Sequence, residues 1–399
     1  MQVRTFKSIW LAAAFFLIVL AELWTPLKYI GLILLMLICL GGMAAAPLRR
    51  EDVVTAAAIY VAWVIGFLFQ TLSASQAQTA AAYYAVLIAV SIFGGRAAGS
   101  VRELVGMAAG FFAGILAVFF YSPSAIAEQL NDTSNTRMRI SGSFAHPNTL
   151  GYSAFTVIFL LLIVLALRRR DFSRLQKAAC VLMIGASAGF LYLSKSRGAW
   201  GVTAVFLVIF LSRALFRLPA RQRQALTILG AAALLCAGAV ILRSYVLTDA
   251  SYASRISGLF SIDLEGHVLF GYGMVDSASI DYTVLSEGSM EIAWLKLYYK
   301  NGVVGILTFV LLILYSVRKA LKLRNRNLRR LWWAVCFAFL ANSAVESTMV
   351  AIFNAFPLCL WISLSALPEI LAEEDAEEDE DEEEDGTDEA AAAAEGAGS

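Results

Sequence analysis

Residues that usually carry chemistry are scarce in this chain of 399 residues. It has two histidines, His146 and His267, and five cysteines, Cys39, Cys180, Cys236, Cys336 and Cys359. The cysteines all lie in apolar stretches, with no CxxC or Cys/His spacing, which removes the usual metal and redox motifs. Charged residues make up only 16% of the chain, against roughly a quarter in soluble domains. Hydrophobic residues reach 59%, and the mean hydropathy is +0.71. That balance excludes an ordinary cytosolic enzyme, a nucleic-acid binder and a disulfide scaffold. No alternating strand pattern competes with the apolar runs, and no internal repeat is present. The start is basic and then apolar, without a small-residue cleavage site, so it reads as a retained first span and not as a removed signal.

A helix needs about 20 apolar residues to cross the hydrocarbon core. Runs of that order occur near 8–23, 27–44, 53–72, 79–95, 103–121, 149–167, 178–194, 199–216, 225–243, 292–317, 331–348 and 350–367. Cytoplasmic loops retain Lys and Arg. With the N-terminus inside, alternating loops collect 22 of the 31 basic residues, from Arg4 and Lys7 to the run between Arg318 and Arg330. The expected fold is therefore an all-α integral membrane protein of about twelve transmembrane helices, with both termini cytoplasmic. Two long outer loops fall at about 122–148 and 244–291, with a short polar link at 194–198. The inside loops read as plain connectors. From Glu369 onward there are 16 acids and no Lys or Arg. The chain thus divides into a membrane body, 1–371, and a low-complexity acidic tail, 372–399, that cannot bury a core.

The candidate site residues are concentrated on the outer side. The first loop ends with Arg139, Gly142, Phe144, His146, Pro147 and Asn148. Pro147 and Asn148 favour a turn before the next helix, and Asn148 is placed to cap it. Helix N-termini bind anions, and Arg139 and His146 are close by in sequence. The link Ser194-Lys195-Ser196-Arg197-Gly198-Ala199-Trp200 puts two cations at the membrane's outer face. They either snorkel to headgroups or hold a phosphate, for which the planar guanidinium of Arg is suited. The second loop carries Arg255, His267, Asp276, Asp281, Glu287 and Glu291. A carboxylate near apolar walls has a raised pKa, which suits a general base. Glu346, between the last two spans, is an acid at the membrane boundary.

Four stretches resemble the O-antigen ligase and O-antigen polymerase superfamily of bacterial envelopes. They are Arg139…Gly142-Ser-Phe144-Ala-His146-Pro147-Asn148, Ser196-Arg197-Gly198-Ala199-Trp200, His267-Val-Leu-Phe-Gly271-Tyr272-Gly273, and the helix ending in Gly302-Val-Val-Gly305. They occur in the family's order, and the resemblance covers about residues 5–367. It implies a fold similar to C-type glycosyltransferases and transfer of a glycan from an undecaprenyl diphosphate carrier at the outer face of the inner membrane. It implies no metal and no cofactor. Family arginines in the outer loops hold the donor diphosphate, which points to Arg197 and Arg255, with Arg139 as a third. Ligases carry a His eleven positions before the Gly matched to Gly302. Here that residue is Glu291, followed by Ile292.

The departure favours a polymerase of lipid-linked repeat units over a ligase that transfers to lipid A–core. On this reading Arg197, Arg255 and Glu291 are catalytic, Glu291 as the base. Arg139, His146, Asn148, Lys195, His267, Asp276, Asp281 and Glu287 bind substrate. The implied partners are the lipid-linked glycan, membrane lipid, and a chain-length regulator and flippase of the same pathway. A small-anion transporter is the alternative of another class. It calls for binding groups near the bilayer midplane on broken helices, whereas the charges here gather at the outer face.

Overall fold

The structure, a computed structural model, describes residues 2–45, 48–70, 72–131, 139–168, 172–215, 266–273 and 292–374. Every regular element among them is helical. In chain order these are α1 (Gln2–Leu20), α2 (Pro26–Ala45), α3 (Arg50–Phe69), α4 (Ala74–Ile92), the single turn α5 (Gly94–Ala97), α6 (Val101–Phe119) and α7 (Pro123–Asn131). There follow α8 (Pro147–Arg168), α9 (Arg174–Ser194), α10 (Arg197–Leu215), α11 (Ala293–Leu321), α12 (Arg326–Val345), a 3-10 turn (Ser347–Val350) and α13 (Ala355–Glu374). Seven of these, α2, α3, α6, α8, α9, α11 and α13, are long and apolar enough to cross a membrane. The protein is an α-helical membrane protein with seven such helices among its described residues, where the hydropathy runs suggested about twelve. The run near 225–243 and the acidic tail from 375 lie outside the described residues. The loop expected at 122–148 is helical in its first part, because Pro123 opens α7.

Polar residues end the helices where the apolar runs stop. Ser73 and Gln76 form a reciprocal capping box on α4, and Ser173 and Gln176 repeat it on α9. Asn325 accepts from the amides of Asn327 and Leu328 at the start of α12. Inside the bundle, where lipid gives helices little hydrophobic reason to associate, close approach through small residues takes over. Gly106, Gly110 and Gly114 line one face of α6 and receive α1. A Cβ at Gly106 or Gly110 would run into the Ser8 or Ala12 carbonyl, and one at Gly114 would lie 2.7 Å from Val19 Cβ. Phe15 and Phe111 stack in the same seam, with centroids 5.0 Å apart.

The loops expected to lie inside are more than connectors. Asp52, 1% exposed, is shared by Arg96 (3.2 Å) and Lys319 (3.8 Å), and the Tyr315 hydroxyl donates to it as well. Lys319 also reaches Glu369 (3.3 Å). This network joins α3, α5, α11 and α13 near the ends that carry most of the chain's basic residues. At the far ends of α1, α2, α11 and α13 lie Glu22, Lys28, Lys296 and Ala355. The helix from Lys7 to its end at Leu20 spans about 20 Å, so polar groups occupy two levels with an apolar middle.

Asp52→Ala removes the carboxylate between two nearly buried cations. It is expected to lower stability by about 3–5 kcal/mol. Unfolding of the detergent-solubilised protein checks this against Glu51→Ala, which breaks only the exposed Lys322–Glu51 pair and is expected to cost at most about 1 kcal/mol. Equal shifts for the two variants contradict the arrangement.

Candidate functional site

The 139–149 segment is held on three sides. The Ile140 amide donates to the Leu193 carbonyl (3.0 Å), and Gln129 of α7 clamps the Ser141 and Gly142 backbone. Gly142 has φ +60°, and a Cβ there would run into the Phe119 carbonyl. The chain then turns into α8 with Pro147 in the first helical position. Asn148 therefore lies inside the first turn and does not cap it. His146 takes the helix end instead, its Nδ1 accepting from the Asn148 amide (3.0 Å). This frees the Asn148 side chain. Its Oδ1 accepts from Arg139 Nη2 (2.7 Å) and its Nδ2 donates to Glu346 Oε1 (3.3 Å). Arg139 Nε also donates to the Ser194 carbonyl (3.3 Å), which ties the loop to the end of α9.

Arg139, His146, Asn148 and Glu346 line a cavity of about 550 Å³, together with Glu22, Lys28 and the start of α13. Glu22 Oε2 accepts from the Ala145 amide (3.3 Å). Burial raises the pKa of Glu22, against the opposing pull of that amide and of the Lys28 charge. Burial, and then the Arg139 charge, lower the pKa of His146. The neutral ring is thereby favoured, as its acceptor role toward the Asn148 amide requires.

A second cavity of about 240 Å³ adjoins the first, and Lys28 and Asn354 line both. They are hydrogen-bonded to each other (Nζ to Oδ1, 3.0 Å), so this contact partitions the two spaces. Three lysines line the smaller cavity, Lys28, Lys296 and Lys300, and no carboxylate among the described residues does. Lys296 and Lys300 are four residues apart on α11 and so share a face. All three are partly shielded from solvent, where a cation attracts an anion more strongly than in bulk water.

Just past Lys300, α11 breaks. Gly302 has φ +62° and ψ −159° inside the helix. The backbone groups released by the break are taken up by the segment 266–273. Tyr272 and Gly273 amides donate to the carbonyls of Tyr299 (2.9 Å) and Lys300 (2.8 Å). In return the Val303 and Val304 amides donate to Val268 (2.9 Å) and Leu269 (3.1 Å). Gln70 donates to the Phe270 carbonyl, and Phe69 stacks on the Phe270 ring. A broken helix survives at membrane depth only where protein satisfies it, and here a short inserted segment does so.

The four sequence stretches thus pair off. Arg139–Asn148 meets the start of the α9–α10 link, since Arg139 Nε donates to the Ser194 carbonyl and the Ile140 amide to that of Leu193. His267–Gly273 meets Gly302. Of the expected site residues, the structure brings Arg139, His146 and Asn148 together in one cavity. Lys195 is exposed in a left-handed conformation (φ +43°) and Arg197 opens α10; neither lines the two cavities. His267 stacks on Tyr272 (4.4 Å) at the helix break. Arg255, Asp276, Asp281, Glu287 and Glu291 lie outside the described residues. Sequence reasoning missed Glu22, Lys28, Lys296 and Lys300. The signal for the first two was an acid and a base flanking the turn between adjacent apolar runs. No group of His, Cys, Asp and Glu among the described residues has the arrangement of a metal site. No protein-family model matches the chain, and no curated protein matches it.

Two measurements check this geometry. The two histidines are separately visible by NMR, and His146 is expected to titrate below its ordinary 6.5. Arg139→Gln should raise that midpoint without restoring it fully, since burial remains; an unchanged midpoint contradicts the proximity. Gly302→Ala places a methyl against the Leu269 carbonyl at a φ that L-residues avoid. It is expected to abolish the folded, monodisperse fraction on size-exclusion chromatography, whereas Gly201→Ala, with open space at its Cβ, should not.

Proposed function

We propose that the chain is a membrane glycosyltransferase of the O-antigen polymerase and ligase type, and within it a polymerase. It moves a glycan from undecaprenyl diphosphate to a sugar hydroxyl, with inversion, at the outer face of the bacterial inner membrane. One observation carries the reading. A cavity holding two carboxylates and Arg139 adjoins a smaller cavity lined by three lysines, with a single Lys28–Asn354 contact between them. Group transfer from a diphosphate needs that division. Cations neutralise the leaving group, and a carboxylate stands where the acceptor loses its proton.

On this reading the acceptor oxygen bonds to the anomeric carbon from the face opposite the diphosphate. The carbon–oxygen bond to the diphosphate breaks, and the leaving group takes the electron pair. Lys28, Lys296 and Lys300 stabilise its charge; the resemblance gives that role to Arg197 and Arg255, of which Arg197 lines neither cavity. The buried Asn301 Oδ1 has no partner among the described residues and would accept from a sugar hydroxyl. Two carboxylates compete for the proton. Glu291 stands at the position of the ligase His. Glu22 has the raised pKa of a stronger base. The absence of that His favours polymerisation over transfer to lipid A–core. A transporter reading gains from the break in α11 but loses from its chemistry, since the Val303 and Val304 amides already donate to the inserted segment.

Purified protein in lipid, given an undecaprenyl diphosphate-linked repeat unit, is expected to produce a ladder of glycan lengths on a gel. The Glu→Gln variant at the true base, 22 or 291, should lose about 10²–10⁴-fold in rate and the other should keep most of it. A single transfer seen only with lipid A–core makes the chain a ligase. No product with either acceptor sinks the glycosyltransferase reading.

A further inference from the structure

A third cavity lies at the opposite end of the helices from the candidate active site and takes no part in the proposed reaction. It encloses about 840 Å³ between the ends of α1, α2, α5, α6, α11 and α13. Six cations line it: Lys7, Arg49, Arg96, Lys319, Lys322 and Arg324. Three carboxylates line it too, Glu103, Glu369 and Glu373.

The charges are arranged in two layers. In the floor they are matched: Asp52 lies between Arg96 and Lys319, and Glu369 takes Lys319. At the rim, Arg49, Lys322 and Arg324 stand with one exposed carboxylate of the lining, Glu373, and Arg49 also reaches Glu369 (3.8 Å). Arg49 and Lys322 have side chains 57% and 60% exposed, and Arg324 is exposed beside them in sequence. Lys322 meets Glu51 at 3.2 Å in an exposed pair that an incoming anion can displace at little cost. Lys7 has its ammonium 3.4 Å from the Arg96 carbonyl. Small residues, Gly42, Ala45, Gly95 and Gly99, line the remaining wall and leave the volume open.

The surroundings choose between a free anion and a lipid. Leu48 and Leu321, next in the chain to Arg49 and Lys322, are 46% and 54% exposed, and Leu40 near Gly42 is 53% exposed. Apolar side chains left open beside a cationic pocket at the end of membrane helices suit acyl chains below a headgroup. Basic pockets between helix ends hold anionic lipid headgroups in this way.

We infer that this cavity binds the phosphate of an anionic membrane lipid, at the membrane face opposite the candidate active site. The inference is independent of the glycosyltransferase reading. Seating a phosphate among Arg49, Lys322 and Arg324 draws the ends of α2, α3 and α11 together over the Asp52 network, so the lipid stabilises the fold when bound.

The full chain in neutral detergent is titrated with phosphatidylglycerol, phosphatidylcholine or inorganic phosphate, and thermal unfolding is followed. Phosphatidylglycerol should raise the unfolding temperature saturably, and the other two should not. Replacing Arg49, Lys322 and Arg324 together by Gln should weaken the lipid's effect roughly a hundredfold while leaving the lipid-free unfolding temperature nearly unchanged. Glu51→Gln, which releases Lys322, should strengthen it. Lys296→Gln with Lys300→Gln, in the other cavity, should leave it intact. A full phosphatidylglycerol response in the triple variant overturns the inference. So does an equal response to phosphatidylcholine, which lacks net charge, or to phosphate, which lacks acyl chains. A response lost with Lys296 and Lys300 moves the lipid to the other cavity and overturns it as well.

Discussion

A charge carried into an apolar interior costs several kcal/mol unless a partner of opposite sign meets it in good geometry. The placement of Asp52 and of Arg139 follows from that cost. Asp52 is nearly inaccessible and holds two cations and a hydroxyl. Its partners come from α5 and α11, so the network fixes where three helices end relative to one another. At the opposite level Arg139 is tied to Asn148 and through it to Glu346. Between the two levels, the described interior is filled with Phe, Leu, Ile and Val, and small residues on α6 admit α1 at backbone distance.

Backbone polarity obeys the same rule. The break at Gly302 would strand carbonyls and amides in a medium without water. The segment 266–273 arrives from a distant part of the chain and pairs with them on both sides of the break. Gly271 (φ +64°) and Gly302 make this possible, because each lets one backbone come against another where a Cβ would collide. The consequence for the site is positional. The insertion holds the short first half of α11, and with it Lys296 and Lys300, at an angle to the rest of the helix.

How much of this the sequence disclosed depends on the range of the interaction. Hydropathy located α2, α8 and α11 to within a few residues, because a span is a local property of about 20 consecutive side chains. The Arg139–Asn148 loop was also legible, its members being close in sequence and polar beside apolar runs. The role of Asn148 was misread, since capping by His146 depends on where Pro147 falls in the first turn. The contact of Lys28 with Asn354 joins residues 326 positions apart, and that of Tyr315 with Asp52 joins residues 263 apart. No periodicity carries such pairings. The loops expected to lie inside therefore looked like connectors, and the three-lysine cavity had no signature at all. The glycine row on α6, at four-residue spacing, was legible in principle as a close-packing face and was passed over.

The account turns on polar cavities at opposite ends of the helices, proposed to hold a glycan donor at one end and an anionic lipid at the other. Cysteine accessibility tests this most directly. In a background without native cysteines, Lys296→Cys and Lys322→Cys are labelled with a membrane-impermeant maleimide in oriented vesicles. Labelling of Lys296→Cys only from the periplasmic side, and of Lys322→Cys only from the cytoplasmic side, is the predicted result. Labelling of both from the same side would contradict the two-level arrangement and with it the placement of the active site.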